Sequence, residues 1–462
     1  GINSIVFHVN THNPYTDKKP GMTLDGIGTF FQRDNTWWRE MPAFSSYISK
    51  TQALLQYGHH VSDIAIYTGD EMPRRAILPE RLTESLPGLF SETTLKEEAA
   101  RKANIGQPLE VSPVGVTHTR NMTKAEHWVN TLNGYRYDSF NHDALDGCRI
   151  ENGKLVTRGG TAYSVIVVPQ ARPMNPDRHI DCWNTIDSIA RLGVPVIKEV
   201  WRESDLSSIG ISRDASLPEG IDFTHRHADD ADIYFLSNQS GKAKSFIPKF
   251  RDTRRYCYII DAEHNRTMKV DANSEIALAA DDALFYVFTD NEIDADYLYQ
   301  PKHVGEMMPI DNNGWKVTFE TTGKVVEMKE LKDWTSFTDD NSIRYYSGHA
   351  AYETTFKRKH SPAKDESVVI DLGTVADIAT VYVNGKQCGT AWRPPYTVDI
   401  TQAVKKGKNS LKIVVVNTWA NALQGNDEGK APFTGIWTNG KYRRASKDLL
   451  PSGLTSPIMI SK

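Results

Sequence analysis

The hydrophobic pattern changes its type near residue 220, and this change most constrains the fold. Before it, an apolar run at 163–169 precedes a helical pattern over 177–192 and a second apolar run at 194–200. Strand, helix and strand in this order are typical of a parallel α/β unit. After it, short apolar runs such as 230–238 alternate with turn residues, as in antiparallel sheets. We therefore expect a mixed fold, α/β followed by all-β.

The opening of the chain has a second α/β pattern. An apolar run at 2–9 predicts a buried strand that ends near His8, and the periodicity of 43–57 predicts a helix before a strand at 61–67. Strand, long loop, helix and strand are what the last turns of a (β/α) barrel look like. The chain starts with Gly1 inside the first strand and has no Met there, so we expect an upstream part to be missing.

Four domains are predicted from these patterns. The dipeptide Asn384-Gly385 between two apolar strands indicates a β-hairpin, which supports a sandwich at the C-terminus. The predicted domains are the last strands and helices of a (β/α)8 barrel at 1–60, a flavodoxin-like α/β domain at 61–218 with an insertion at 73–122, a small β-sandwich at 219–328, and a C-terminal jelly-roll β-sandwich of galactose-binding-like type at 329–462.

Charge and cysteine spacing exclude several classes of protein. The 462 residues carry a formal net charge of -4, which argues against an obligate partner of nucleic acid or anionic membrane. No window approaches about 18 consecutive apolar residues, so no membrane-spanning helix is expected. The four cysteines are far apart and form no zinc or redox motif.

Candidate binding residues concentrate between residues 8 and 40. In a (β/α) barrel, the C-terminal ends of the strands carry the active site, and His8 is predicted at such an end. Indole faces can stack on a sugar ring, and His, Asn or Arg side chains can hydrogen-bond its hydroxyls. Simpler roles remain open: a core histidine, one tryptophan as a core anchor, or an ion pair of Arg39 with Glu40 or Asp34. The predicted sugar-binding residues are His8, His12, Asn13, Trp37, Trp38 and Arg39.

No convincing pair of catalytic carboxylates accompanies these residues. A glycosidase typically uses two. Asp17 lies in a Lys-rich turn, Glu40 begins a helix where it favours the dipole, and Asp25 has no evident partner.

Metal sites are equally weak in the sequence. The acidic turn at 229–232 lacks the Gly and Glu of an EF-hand loop, and we interpret it as a solvated turn. His225 and His227 share a strand face but have no third ligand in the sequence.

Several motifs together resemble glycoside hydrolase family 106, the α-L-rhamnosidases. They are GINSIVFHVNTHNP, PGMTLDGIGTFFQRDNTWW, SYISKTQALLQYGHHVSDIAIYTGDEMP, YRYDSFNHDAL with GGTAYSVIVVP, and the C-terminal VYVNGKQCGTAWRPPYTVDIT with NSLKIVVVNTWANAL. The first 72 residues point most directly to this family. The C-terminal motifs also occur in relatives of β-galactosidase and β-glucuronidase.

The resemblance implies an inverting enzyme that removes terminal α-L-rhamnose from plant polysaccharides such as pectic rhamnogalacturonan. It also implies a glutamate acid and a glutamate base held by barrel segments upstream of this chain, and an active-site Ca²⁺ whose ligands lie outside this chain. A periplasmic or secreted bacterial location is implied as well. Two alternatives stay open: a β-galactosidase-like glycosidase, and a non-catalytic carbohydrate-binding protein. In the second, Trp392, Arg393 and Tyr396 form the binding surface, whereas their structural interpretation is packing against a neighbouring domain.

Overall fold

A computed structural model gives the fold of this chain. It describes residues 2–24, 31–67, 92, 95–96, 133–168, 183–198, 204–299, 303–363, 366–440 and 448–461. The described residues form two compact units: residues 2–3 and 50–299 make up the first, and residues 4–49 and 303–461 the second. The predicted insertion at 73–122 lies almost entirely outside the described residues.

The first unit contains a parallel sheet with apolar residues on both faces. Ile64, Ile66 and Val165 pack on one face, and the helix Trp183–Arg191 packs Ile186 on the other. The predicted parallel strand–helix–strand unit is confirmed in the described residues. In spatial order the strands are Tyr137–Phe140, Ile64–Tyr67, Val165–Val167 and Val196–Ile197, and a small antiparallel sheet of Arg149–Glu151, Lys154–Val156 and Ala162–Tyr163 accompanies them.

The first unit also contains a seven-stranded sheet, antiparallel except for one terminal pair. Its core side chains include Tyr234, Tyr286 and Phe288, which pack under two short ribbons. The predicted strand at 61–67 divides here, because His59–Val61 pairs with this sheet. In spatial order the strands are Tyr297–Leu298, Arg266–Lys269, Tyr256–Asp261, Ala283–Thr289, Ala231–Asn238, Ile221–His227 and His59–Val61, and the ribbons are Lys244–Phe246 with Ile276–Leu278 and Ala215–Ser216 with Lys249–Phe250.

The second unit contains a β-sandwich. Side chains of both sheets, among them Tyr352 and Ile370, meet in one core around Trp334, whose Nε1 donates to the hydroxyl of Tyr352 at 2.6 Å. The six-stranded antiparallel sheet consists of Lys324–Met328, Trp315–Phe319, His349–Arg358, Gly407–Val416, Ile378–Val383 and Lys386–Ala391. The facing sheet consists of Met307–Pro309, Met459–Ser461, Val369–Asp371 and Thr397–Asp399.

The hairpin predicted at Asn384-Gly385 is confirmed. It joins Ile378–Val383 to Lys386–Ala391, with φ of 52° at Asn384 and 81° at Gly385. Positive φ at both central residues is the type I′ geometry that Asn-Gly favours. Three further strand pairs complete this unit: Lys19–Gly21 with Ile436–Thr438, His303–Val304 with Glu366–Ser367, and Val375–Ala376 with Gly453–Leu454.

Helices are few. The helix predicted over 43–57 is confirmed as Met41–Gln56, and it contains the boundary between the two units. Two shorter helices, Asn341–Arg344 and Ala420–Asp427, belong to the second unit. Short 3₁₀ helices cover Thr36–Arg39, His142–Leu145, Ser207–Ile209 and Trp334–Ser336. Within the described residues, none of the helices is long and apolar enough to cross a membrane.

The buried strand predicted over 2–9 is wrong. These residues form no strand, and Val6 is 94% exposed. A strand needs a neighbour for its backbone hydrogen bonds, and no described strand pairs with this segment. The apolar run alone therefore does not produce a strand here.

Candidate functional site

The six predicted binding residues lie in one segment of the second unit, but they have different surroundings. His8 and His12 are exposed. Neither imidazole has a hydrogen bond or ion pair within the part of the chain that the structure describes. The structure therefore leaves both rings accessible and does not join them to the other four residues.

Asn13 is a hub of hydrogen bonds that orders the following loop. Its Nδ2 donates to Oδ2 of Asp34 at 2.9 Å, and its Oδ1 accepts from the backbone N–H groups of Tyr15 and Met22 at 3.3 and 3.4 Å. The indole Nε1 of Trp419 donates to the carbonyl of Asp34 at 2.8 Å. Because both ends of the Asn13 amide are engaged, this residue positions the loop rather than reaching a ligand.

The two adjacent tryptophans have separate roles. Both lie in the 3₁₀ helix Thr36–Arg39. Trp37 is half-buried and contacts Phe31 edge to face at 6.1 Å, and Phe31 in turn packs on Phe7 at 4.7 Å. Trp38 remains 45% exposed. Trp37 is thus the more enclosed ring of the pair, and Trp38 is the more accessible one.

Trp392, the other tryptophan considered from the sequence, is packed within the second unit. Its ring lies 5.5 Å from Phe44 and 5.6 Å from Tyr47, on the helix that begins at Met41. Such aromatic contacts stabilise a fold. This arrangement favours the packing interpretation of Trp392 over a sugar-binding one.

Arg39 belongs to a cluster of four charged or titratable side chains. Its Nη2 donates to Oε2 of Glu320 at 2.7 Å, so its ion pair is with Glu320 and not with Glu40 or Asp34. The Nε2 of His349 lies 3.0 and 3.1 Å from the carboxylate oxygens of Glu40 and 3.2 Å from Nε of Arg39.

The Nε2 atom of His349 cannot donate to Glu40 and accept from Arg39 at the same time. The side chains of Glu40 and His349 are only 7% and 11% exposed. A buried carboxylate without a donor is costly, so we assign the Nε2 proton of His349 to the bond with Glu40. Glu40 therefore anchors the start of its helix to the sandwich, a role beyond the helix-dipole effect expected from the sequence.

Glu320 and His349 were missed because no local signal marks them. They are separated from Arg39 and Glu40 by 281 and 309 residues. Among the described carboxylates of this cluster, Glu40 and Glu320 are each bonded to a neighbouring side chain, and Asp25 lies outside the described residues. The cluster can therefore bind hydroxyl groups through Arg39, but it supplies no acid and base pair of its own.

The first unit contains a buried network of charged side chains around His225, one of the two histidines that the sequence leaves open as metal ligands. His225 faces carboxylates with both ring nitrogens: Nδ1 lies 3.1 Å from Asp214, and Nε2 lies 3.2 Å from Asp232. Its ring stacks on Tyr234 at 3.9 Å. Burial would lower the pKa of His225, but the hydrogen bonds and charges of the two carboxylates outweigh it and raise the pKa.

The same carboxylates are occupied by nitrogen donors. Asp232 accepts from Nε of Arg254 at 2.7 Å and lies 2.6 Å from Nδ1 of His227. Burial would raise its pKa, but the hydrogen bonds from His225, His227 and Arg254 lower it. Asp214, His225 and Asp252 also lie close enough to share an ion.

These groups do not fit Ca²⁺. Calcium takes six to eight oxygen ligands. Here Arg251 lies 3.5 Å from Asp214 and donates to both oxygens of Asp63 at 3.0 Å, so a guanidinium already supplies the positive charge. We derive no step that uses calcium at this network, and we interpret it as a structural one.

Comparison with known families supports the resemblance seen in the motifs. The model of α-L-rhamnosidases, glycoside hydrolase family 106, matches residues 1–97. A galactose-binding domain-like model of family 2 glycosyl hydrolases matches residues 313–447, on the sandwich of the second unit. The predicted galactose-binding-like sandwich is thereby confirmed.

Two longer proteins align with the chain over its whole length. The structure of a rhamnosidase from Novosphingobium sp. PP1Y has a TM-score of 0.73 and 26% identity, covering 100% of this chain and 45% of that one. A Formosa agariphila protein named as a β-glucuronidase is 22% identical over 100% of this chain and 60% of its own. The chain thus spans about half the length of the relatives it matches, and its resemblance to family 106 is confirmed.

Proposed function

We propose that this chain forms part of an α-L-rhamnosidase that releases terminal α-L-rhamnose by inverting acid and base hydrolysis. The observation that carries the proposal is the similarity of the whole of this chain to part of a rhamnosidase structure. The family 106 match over the segment that bears Trp38 and Arg39 supports it. The exposed Trp38 ring can stack on a sugar and the Arg39 guanidinium can donate to its hydroxyls, which supports the same proposal.

Individual roles follow from the surroundings of each residue. Trp38 offers its exposed ring to a face of the sugar, and Arg39 donates to hydroxyls while Glu320 holds its guanidinium in place. His8 and His12, whose rings are accessible, are proposed as further hydroxyl partners. Asn13 and Trp37 support it from behind, because their polar and apolar groups are already engaged.

The catalytic acid and base are proposed to lie in the part of the enzyme that this chain does not span, as is the calcium site. Inversion needs two carboxyl groups about 6.5–9.5 Å apart, with a water between them. We propose that the catalytic centre lies in a (β/α)8 barrel to which residues 1–60 contribute the helix Met41–Gln56 rather than a strand at 2–9. A flavodoxin-like domain over 61–218 follows it in the proposed architecture. The proposed substrate is a plant polysaccharide such as pectic rhamnogalacturonan, met in the periplasm or outside the cell.

A panel of aryl glycosides tests this function on the chain and on any longer natural protein that contains it. We expect the longer protein to hydrolyse aryl α-L-rhamnoside and to leave aryl β-D-galactoside and β-D-glucuronide intact. Arg39→Met should lower kcat/KM at least about tenfold, since a lost hydrogen bond from a charged group costs roughly that much. The exposed neighbour in Arg33→Met is the matched control and should have unchanged kcat/KM.

Three outcomes would count against the proposal. Turnover of the glucuronide or galactoside without turnover of the rhamnoside would replace it with the β-glycosidase alternative. Efficient hydrolysis by the 462-residue chain alone would contradict the placement of the acid and base elsewhere. Saturable sugar binding without hydrolysis by any form would favour the carbohydrate-binding alternative.

A further inference from the structure

A pocket of about 370 Å³ lies in the second unit, beside the segment 16–19. Its volume is within the range of about 300–1,000 Å³ that is usual for small-molecule sites. None of the six predicted binding residues lines it. We infer that this pocket binds one pyranose ring of a glycan, and so forms a carbohydrate site separate from Trp38 and Arg39.

Aromatic residues form part of its wall. Trp419 and Phe433 line the pocket and are both half-buried. The hydrogen bond from Nε1 of Trp419 to Asp34 fixes the orientation of the indole, and the edge contact of Phe433 with Tyr346 at 6.3 Å fixes the phenyl ring. Preorganised rings of this kind suit the flat C–H faces of a pyranose, because no side-chain freedom is lost on binding.

Two charged side chains at the pocket are unused by the fold. Asp17 and Lys19 line it and are exposed. Within the described part of the chain, neither side chain has a hydrogen bond or an ion pair. A carboxylate can accept from two neighbouring hydroxyls of a sugar, and an ammonium can donate to a third.

The backbone that carries these side chains is well anchored. Lys19 begins the strand Lys19–Gly21, which pairs with Ile436–Thr438, and its N–H donates to the carbonyl of Gly435 at 2.8 Å. Gly435 has a φ of 76°, and a Cβ at this position would lie 2.5 Å from the carbonyl oxygen of Asp17. The close approach therefore requires glycine, and it holds Asp17 at the pocket wall.

The charge pattern selects a neutral polyhydroxylated ligand. Asp17 and Lys19 offset each other's charge, so the lining favours an ion of neither sign, whereas hydroxyl groups can use both side chains. Threonine hydroxyls add to this lining, among them Thr322 and Thr434. The choice of rhamnose among neutral sugars rests on the proposed function, but the pocket's affinity for a pyranose does not depend on hydrolysis.

Titration of the full chain tests the inference directly. Methyl α-L-rhamnopyranoside and methyl β-D-galactopyranoside are added separately, with calorimetry and tryptophan fluorescence as readouts. We expect saturable binding of at least one sugar at one site. Asp17→Asn should weaken it about tenfold, and Lys19→Met should weaken it less, since the carboxylate accepts two hydroxyls. Asp339→Asn, an exposed carboxylate of the same unit, is the control and should bind as the unchanged chain does.

Three results would overturn the inference. The first is the absence of saturable binding of both sugars. The second is wild-type affinity in both the Asp17→Asn and Lys19→Met variants. The third is binding that is lost on Arg39→Met and kept on Asp17→Asn, which would place the sugar at the other site. Hydrolysis of aryl α-L-rhamnoside is measured separately, so a failed pocket and a failed rhamnosidase function remain distinguishable.

Discussion

In the first unit, Asp63, Asp214 and His225 are almost completely buried, whereas in the second unit Arg39 and Glu320 keep 55% and 39% of their side chains exposed. Every charged group of the buried network faces an opposite charge or a hydrogen-bond donor. Among the described residues, Arg39 has one direct ion pair, with Glu320, so its guanidinium keeps donors available. Charges enclosed by protein serve the fold, because leaving them unpaired is expensive, and charges with spare donors or acceptors can serve a ligand.

The largest expected effect comes from breaking the buried network. Arg251→Met removes the guanidinium that donates to Asp63 and lies beside Asp214. Burial raises the pKa of Asp63, and the charge of Arg251 opposes that shift, so the carboxylate loses its main partner. We expect the free energy of unfolding to fall by about 3 kcal/mol in denaturant titrations.

Arg255→Met is the matched control for this change, because Arg255 is exposed and lies in the same unit. It should change the free energy of unfolding by no more than about 0.5 kcal/mol. Equal effects of the two substitutions would mean that the buried network contributes no more than a surface charge does.

The buried histidine should make stability depend on pH. The folded-state pKa of His225 is raised above the ordinary value of 6.5, so folding is favoured by its protonation. This contribution is complete below pH 6.5 and is lost as the pH rises through the raised pKa. Asp232 acts oppositely: its pKa is lowered, so its contribution is present above the ordinary 3.8 and is lost as the pH falls through the folded value.

We therefore expect the contributions of His225 and Asp232 to be present together between pH 3.8 and 6.5. Urea unfolding at a series of pH values measures the decline above that range, and His225→Gln should flatten it. Burial would lower the pKa of His264, but Asp261 raises it. His264 should therefore preserve part of the pH dependence of stability in the His225→Gln variant. His59→Gln replaces an exposed histidine of the same unit and should leave the slope unchanged; an unchanged slope in His225→Gln would refute the assignment.

Elements that depend on local chemistry could be predicted from the sequence. The Asn384-Gly385 hairpin follows from turn conformation, and the helix Met41–Gln56 follows from its apolar stripe. The parallel strands around Val165 follow from a continuous apolar run. The prediction of a strand over 2–9 is wrong because strand formation is not purely local. An apolar run becomes a strand only when another strand supplies its hydrogen bonds.

The sequence predicts which residues could belong to the candidate site, but it does not predict which residues they contact. The segment 8–39 draws attention through its own composition, but Glu320 and His349 lie in the sandwich, about 300 positions away along the chain. In the sequence, Asp17 is marked only as a residue of a Lys-rich turn. Its place at a pocket wall depends on Gly435 and Trp419, which no local pattern connects to it.

The smallest expected effect on stability is that of Arg39→Met, and it tests most directly whether exposed and buried charges have different roles. Arg39→Met removes a guanidinium from an ion pair that is largely exposed, and such pairs contribute about 0–1 kcal/mol. The free energy of unfolding should therefore change by less than about 1 kcal/mol, close to the effect of Arg33→Met, while kcat/KM on an aryl α-L-rhamnoside falls. A loss as large as that expected for Arg251→Met would place Arg39 with the structural charges. It would also leave Trp38 without a charged partner for a sugar, because Glu40 and His349 are bonded to each other.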